Sequence, residues 1–454
     1  MQKVHFIAVG GQGMSGIAHI LLSRGYRVSG SDLKASNLTK QLEAMGATIH
    51  IGHSVENLGS PDRVVVSSAI HEDNPELREA RRRGIPVVHR MDMLLEAVAG
   101  KKLVAVAGSH GKTTTTSMIA WILSRAGRKP TYLVGGEFGG LGNAEAGSGD
   151  EAVFETDESD GSFLKCHADV AVATNIDNDH LEYWGTIDAL ESAFCDFLDG
   201  TKEGGVTVVC ADDPRLKKWA DSRPDAVTYS IKSPATWEVR DTLQPEWGMK
   251  GRVFLNSREV ASLELGVIGL HNVQNALGAI AASYACGVDP HTASRCLSDY
   301  PGARRRMERV GVWNGVSVMD DFAHHPSEIA ASIRALKAAF SGQRVIVVFQ
   351  PHRYARTRLL KDEFGRALSL ADEVLVTGIY AGPGESIEEG VDSAFISDSV
   401  AKAGRRHVRM VSDVEKAARE AALSANTGDV VVTMGAGDVW KSHGIIREAL
   451  LSRE

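Results

Sequence analysis

The residues best suited to chemistry form one loop, Ala107-Gly-Ser-His-Gly-Lys-Thr-Thr-Thr-Thr116, between an apolar strand-like run at 103–107 and an apolar helix-like stretch at 117–123. Glycines let the backbone wrap a triphosphate, a lysine in this position reaches the β and γ phosphates, and the following Thr hydroxyl can ligate magnesium. These roles fall to Lys112 and Thr113. The strict phosphate-loop pattern would put its first glycine at Val106, so this is a shorter variant, with Gly108, Ser109, His110, Gly111, Lys112, Thr113 and Thr114 as nucleotide-binding candidates.

Magnesium takes hard oxygen ligands, so further ligands are expected at the ends of neighbouring strands. Glu155 ends one apolar run and heads the acidic segment Glu-Thr-Asp-Glu-Ser-Asp160, and Asn175-Ile-Asp-Asn-Asp-His180 follows another. An acidic run is more often a solvated loop than a metal site; the position of both segments after apolar strands favours the functional reading.

A second loop, Gly11-Gln-Gly-Met-Ser-Gly16, follows an apolar strand and opens a helix, with Asp32 ending the next strand. Backbone N–H groups at such a helix start cradle a diphosphate, and the acid can accept from a ribose hydroxyl. The loop does not distinguish NAD from a nucleotide-sugar. A third cluster joins Asp320-Asp-Phe-Ala-His-His-Pro326 and Gln350-Pro-His-Arg-Tyr-Ala-Arg356, each after a strand, where parallel folds bind ligands. Arg353 and Arg356, spaced for one helical face, suit carboxylate or phosphate, whereas a solvent-facing helix start explains Arg358 equally well.

The elements that must hold these loops alternate in type. Apolar runs near residues 4–9, 26–32, 63–70 and 85–90 alternate with helical patterns, one at 15–24, in a parallel, doubly wound arrangement. A second series begins at Lys101, residues 221–265 read as short strands and loops appended to it, and helices are expected near 272–285 and 326–339. A third series runs through the strands ending near Asp321, Gln350, Ile379 and Gly435. The expected class is α/β with three domains: a Rossmann-like unit at 1–98, a central P-loop-type ATPase unit at 99–300 and a Rossmann-like unit at 301–454.

At 454 residues the chain exceeds one ordinary core of ~100 to 200 residues. With 43% hydrophobic and 24% charged residues it reads as a soluble globular protein, and a charge of −8 argues against an extended nucleic-acid surface. Five scattered cysteines (Cys166, Cys195, Cys210, Cys286, Cys296) without C-x-x-C spacing read as buried, reduced thiols. The apolar run at 4–9 is too short to span a bilayer and meets a glycine loop instead of a cleavage site, so a cytoplasmic location and no membrane partner are expected.

Together, HFIAVGGQGMSGIAH, VVSSAI, GSHGKTTTT, ETDESDGSF, TNIDNDHLEYWG, LHNVQNALGAIAA, DDFAHHPSEIAA, FQPHRYARTR and TMGAGDVW resemble the Mur ligases along essentially the whole chain. The resemblance implies an ATP-dependent, magnesium-requiring amide ligase of peptidoglycan synthesis, either monomer or homodimer. Within the family the motifs look like the branch that adds L-alanine to UDP-N-acetylmuramate. The competing branch attaches a murein tripeptide to the same acceptor, and its His-His loop often carries Phe, as Phe322 does where alanine-adding relatives usually have Tyr. Ser109 and Met307 are milder departures, from Thr and Phe.

Carried over by motif, Lys112 and Thr113 serve the ATP phosphates and magnesium, Glu155 and His180 the metal, and Asn272 and Asn275 the adenine, with Arg306 and Asp321 bordering the nucleotide. Gly11, Gln12, Gly13, Met14, Ser31, Asp32, Ser67, Ser68, Phe322 and His352 fall to the substrates, and His324, Arg353 and Arg356 lie nearest the reacting groups. Two rivals are an NAD-dependent oxidoreductase, which leaves the phosphate loop unexplained, and an ATP-switched scaffold that needs no UDP-sugar.

Overall fold

The computed structural model describes residues 2–382, 385–404 and 407–452. Its amino-terminal strands, β1 (Lys3–Ile7), β2 (Arg27–Asp32), β3 (Thr48–Ile51), β4 (Arg63–Val66) and β5 (Val87–His89), form a parallel sheet in the order β3-β2-β1-β4-β5. The order reverses between β1 and β4, and at such a point a crevice opens beyond the carboxyl ends of the strands. The glycine loop leaves β1 there, and Ser67 and Ser68 leave β4. The first helix runs Gln12–Ser23, starting at Gln12 where the sequence suggested Ser15, because the loop itself supplies the first turn: Ser15 N–H donates to the Gly11 carbonyl at 2.8 Å.

The next ten strands are β6 (Lys102–Ala107), β7 (Thr131–Leu133), β8 (Ala144–Glu145), β9 (Glu151–Glu155), β10 (Val170–Ala173), β11 (Val206–Cys210), β12 (Val227–Ser230), β13 (Trp237–Leu243), β14 (Met249–Leu255) and β15 (Arg258–Leu265). They form one sheet, β15-β14-β13-β12-β11-β10-β6-β9-β7-β8. Covered on both faces, β6 and β10 have the continuous Val/Ala sequence of buried parallel strands and are buried except at Lys102. Val106 lies beside Glu155 of β9, and Ala107 beside Ala173 of β10, so three loops leave adjacent strand ends together.

The last sheet joins β16 (Glu308–Trp313), β17 (Val316–Asp321), β18 (Val345–Phe349), β19 (Glu373–Val376), β20 (Val408–Met410) and β21 (Val430–Met434) in the order β16-β17-β21-β18-β19-β20, parallel apart from β16. Along β18, Val345, Val347 and Phe349 enter the core that holds Ile329, Ile333 and Phe364, while Ile346 and Val348 enter the core of Val431 and Ile446 on the other face. Each such side chain contributes about 1.5–3 kcal/mol by leaving water. Met434 aligns with both Asp321 and Phe349, which sets the His-His loop and the 350–356 loop on one edge.

The chain divides into two compact units, Met1–Arg240 with Arg252–Leu263 and Gln274–Tyr300, and Asp241–Gly251 with Glu264–Val273 and Pro301–Glu454. The first holds both the five-stranded sheet and most of the ten-stranded one. Part of the 221–265 stretch belongs to the second: Trp247 packs there against Phe340, and its indole N–H donates to the Gly266 carbonyl. All five cysteines are unpaired thiols, and Cys195, expected to be buried, is half-exposed. Among the described residues no helix is long and apolar enough to cross a membrane.

Candidate active site

The phosphate loop is built by its backbone. Gly108 has φ +145, and a Cβ there would lie 1.9 Å from Thr174 Oγ1, so the loop passes the β10 end at a distance only glycine permits. Asn175 then clamps His110 from both sides, accepting from its N–H at 2.8 Å and donating to its carbonyl at 2.9 Å. Asp177 N–H donates to Ser109 Oγ, and the Asp177 carboxylate faces His110 Nε2 at 2.9 Å. The helix Lys112–Arg125 starts directly from Gly111 with no side-chain cap, leaving its first N–H groups for a ligand. Thr114 is buried in that first turn.

Lys112 Nζ lies 2.8 Å from Glu158 Oε1, and Thr113 Oγ1 donates to Glu155 Oε2 at 2.8 Å. Burial alone would depress the Lys112 ammonium, but Glu158, Asp157 and Glu155 outweigh it and hold its pKa above the ordinary lysine value. Burial pushes the Glu158 carboxyl up against the pull of Lys112. Its Oε2 is buried with no hydrogen-bond partner among the described residues. His180 Nε2 stands 3.9 Å from Glu158 Oε1; burial lowers its pKa, but Glu182, Asp179 and Glu158 raise it overall. Thr113 and Glu155 bring a hydroxyl and a carboxylate together, hard oxygen donors of the kind magnesium takes, and His180 stands by Glu158 next to Lys112.

At the amino-terminal sheet, Gly11, Gln12 and Gly13 open the first helix without a side-chain cap. Asp32 Oδ2 accepts the Gly10 N–H at 2.8 Å, and so shapes the loop directly. Ser31 and Met14 both lie in buried surroundings. Ser31 is fully buried with its hydroxyl donating to Glu76 Oε2 at 2.5 Å, and Met14 is buried with the core side of its helix. Burial works against the Glu76 charge, yet hydrogen bonds from His5, Ser31, Asn57 and the Ser54 backbone bring its pKa down to about 2. Ser67 lies at the carboxyl end of β4, and Ser68 donates to Asp160.

In the second unit the structure brings His324, His352 and Arg356 together. The two imidazoles meet edge to face at 5.8 Å, and Arg356 Nη1 lies 3.5 Å from His352 Nδ1. Phe322 is a platform: the guanidinium carbons of Arg305 and Arg306 each lie 4.9 Å from its ring centre. Arg353 is corrected in one respect. With φ +71 it precedes the helix Tyr354–Leu359, so it does not share a helical face with Arg356. Arg358 pairs with Glu388 at 2.7 Å on the exposed side. Asn272 sits in this unit, its amide donating to the Ile268 carbonyl; Asn275 sits in the first, its Oδ1 accepting from Thr115.

Asp321 is buried, accepting from Ser332 Oγ at 2.7 Å and from Ala323 N–H at 2.9 Å. Burial, stronger than the opposing Ser332 bond and Arg306, raises its pKa to about 6. A raised carboxyl binds its proton more tightly in the folded chain, so its stabilisation is complete below the ordinary carboxyl pKa of about 4 and lost as pH rises through 6. Asp321→Asn should therefore lower stability against urea less at pH 7 than at pH 4.5; an equal difference at both would contradict the shift.

Three family profiles cover nearly the whole chain: Mur ligase family, catalytic domain, over residues 3–102; Mur ligase middle domain over 106–283; and Mur ligase, glutamate ligase domain, over 305–437. The chain belongs to the Mur ligase family. A UDP-N-acetylmuramate--L-alanine ligase of Pelotomaculum thermopropionicum is 44% identical over 445 residues, 97% of this Mur ligase and 96% of the relative. The crystal structure of UDP-N-acetylmuramate-alanine ligase from Thermotoga maritima superposes with TM-score 0.85 at 31% identity, covering 100% of both chains. A murein peptide ligase from Psychrobacter arcticus gives 0.73 at 26% identity, again over 100% of both.

Reading the Mur ligase sequence alone missed Asn175, Glu158 and Arg90 as structural members of the site. The first two stood inside quoted segments but carried no role. Arg90 read only as the end of a strand, and no local signal marked it.

Proposed function

We propose that this enzyme uses ATP to join L-alanine to UDP-N-acetylmuramate through an acyl phosphate, in the cytoplasm, with magnesium as the metal. The observation that carries this is the 44% identity along 97% of the chain to a ligase of that name, in a chain whose phosphate loop places Lys112, Thr113 and Glu155 together. The proposed domain limits remain 1–98, 99–300 and 301–454.

A carboxylate and an amine at neutral pH form a salt, so one carboxylate oxygen must become a leaving group. The muramoyl carboxylate attacks the γ-phosphoryl group of ATP, releasing ADP and leaving an acyl phosphate. Lys112 offsets charge on the transferring group, which is the main service a protein gives phosphoryl transfer. Thr113, Glu155, Glu158 and His180 would hold magnesium, which when bound neutralises phosphate charge.

The L-alanine ammonium must lose a proton before it can attack. His324 Nδ1 faces the Phe322 carbonyl, an acceptor only, at 3.1 Å, so this nitrogen carries a hydrogen. His324 and Arg356 support the oxyanion of the tetrahedral species as phosphate leaves. Arg353 and His352 border the amino-acid carboxylate.

Phe322, which resembles the tripeptide-adding branch, favours a second reading with a larger acceptor amine. The test is ADP release with magnesium-ATP and UDP-N-acetylmuramate, offering L-alanine, murein tripeptide or no acceptor, with product mass measured. Amide formed with L-alanine is the expected result. Product with tripeptide alone would transfer the enzyme to the other branch, and release without any amide would overturn both.

A further inference from the structure

The acidic segment 157–160 carries three carboxylates, two of which face Arg90, since Asp160 Oδ2 also lies 3.8 Å from Arg90 Nη2. Asp157 Oδ2 accepts from Arg90 Nη2 at 2.6 Å, Glu158 holds Lys112 at 2.8 Å, and Asp160 accepts from Ser68 while facing His89 Nε2 at 3.5 Å. The His89 tautomer follows: Nδ1 accepts the Met91 N–H at 3.2 Å, so Nε2 carries the hydrogen and points it at Asp160. The segment is stiff. Asp157 Oδ1 accepts Ser159 N–H and Asp160 Oδ1 accepts Ser162 N–H, each at 3.0 Å, and the Trp184 indole N–H holds the Glu158 carbonyl at 2.9 Å. Phe163, just beyond, is fully buried against Phe194, Phe197 and Trp184.

The other end of Arg90 reaches the glycine loop: a Cβ on Gly13 would lie 3.0 Å from Arg90 Nη1. One guanidinium therefore stands beside the loop expected to carry a diphosphate and, through its second nitrogen, bonds the carboxylate one residue from the partner of Lys112. Arginine has five donors in a rigid fork, so it can serve an anion at Nη1 without releasing Asp157 at Nη2.

We propose that Arg90 is a positioning residue that couples the two nucleotide sites: a diphosphate on the glycine loop fixes the Arg90 fork, which fixes Asp157 and with it the Glu158–Lys112 pair that receives ATP. This rests on the UDP-sugar reading given above. Such coupling is reciprocal, so each ligand tightens the other by the same factor.

The experiment measures the dissociation constant of a non-hydrolysable magnesium-ATP analogue with and without saturating UDP-N-acetylmuramate, in the unaltered enzyme, Asp157→Asn and Arg90→Lys. Both positions retain solvent contact, and each substitution keeps its side chain's approximate length. Expected is a tightening of about tenfold in the unaltered enzyme, within the usual range of couplings, falling to about twofold or less in both variants. A purely structural role would weaken each binary affinity and leave the ratio intact, which would overturn the coupling, as would no tightening in the unaltered enzyme. If the unaltered enzyme binds the ATP analogue but no UDP-N-acetylmuramate, the functional reading falls and the coupling falls with it.

Discussion

Lys112→Ala should abolish ligation, with phosphate release falling at least about a thousandfold, the scale on which removal of transition-state charge stabilisation acts, while UDP-N-acetylmuramate still binds. It should also destabilise the fold. Glu158 is fully buried, and among the described residues its charge partner within hydrogen-bonding distance is Lys112 and its Oε2 has no hydrogen-bond partner, so truncating the lysine strands the carboxylate. Breaking a buried pair from one side costs about 3–5 kcal/mol, whereas removing both charges is far less harmful. Adding Glu158→Gln to Lys112→Ala should thus restore much of the denaturant midpoint without restoring turnover. Recovery of turnover in the double variant would show that the lysine serves Glu158 and not the phosphates.

The second large effect is expected at Gly108→Ala. The new methyl group would overlap Thr174 Oγ1 at 1.9 Å, on a backbone with φ +145 that other residues avoid. Backbone strain of this kind costs about 1–3 kcal/mol and overpacking about 1–3 kcal/mol more. The two costs are separable. Pairing Gly108→Ala with Thr174→Ala removes the overlap and not the strain, so thermal melts should show partial recovery, while ATP binding stays weak because the Thr174 hydroxyl also donates to the His110 carbonyl at 2.6 Å. Full recovery of binding would mean that the loop tolerates a side chain at this turn.

Much of the fold was legible because buried parallel strands announce themselves as runs such as Leu103 to Ala107 and Val345 to Phe349, and the phosphate loop sits where such a run meets a helix. Less visible were partnerships made across the chain. Nothing near Arg90 signals Asp157, which lies 67 positions away, and nothing near Ser31 signals its bond to Glu76, 45 positions on. The acidic segment was noticed, but which acid would face Lys112 depends on a turn that local composition does not describe. Arg353 shows the same limit in the backbone: a spacing of three implies a shared face only if both residues are helical, and one of them has φ +71.

The alignment of Glu155 with Val106, and of Ala173 with Ala107, makes the central sheet a ruler. Adjacent strands lie about 4.8 Å apart, so groups leaving the ends of β9, β6 and β10 span about 10 Å by construction, the scale of a polyphosphate chain with its cation. That spacing belongs to the hydrogen-bonded ladder and not to any one side chain. Loops can therefore exchange residues and substrates while the gauge for the phosphates stays unchanged, since altering it would require breaking the sheet itself.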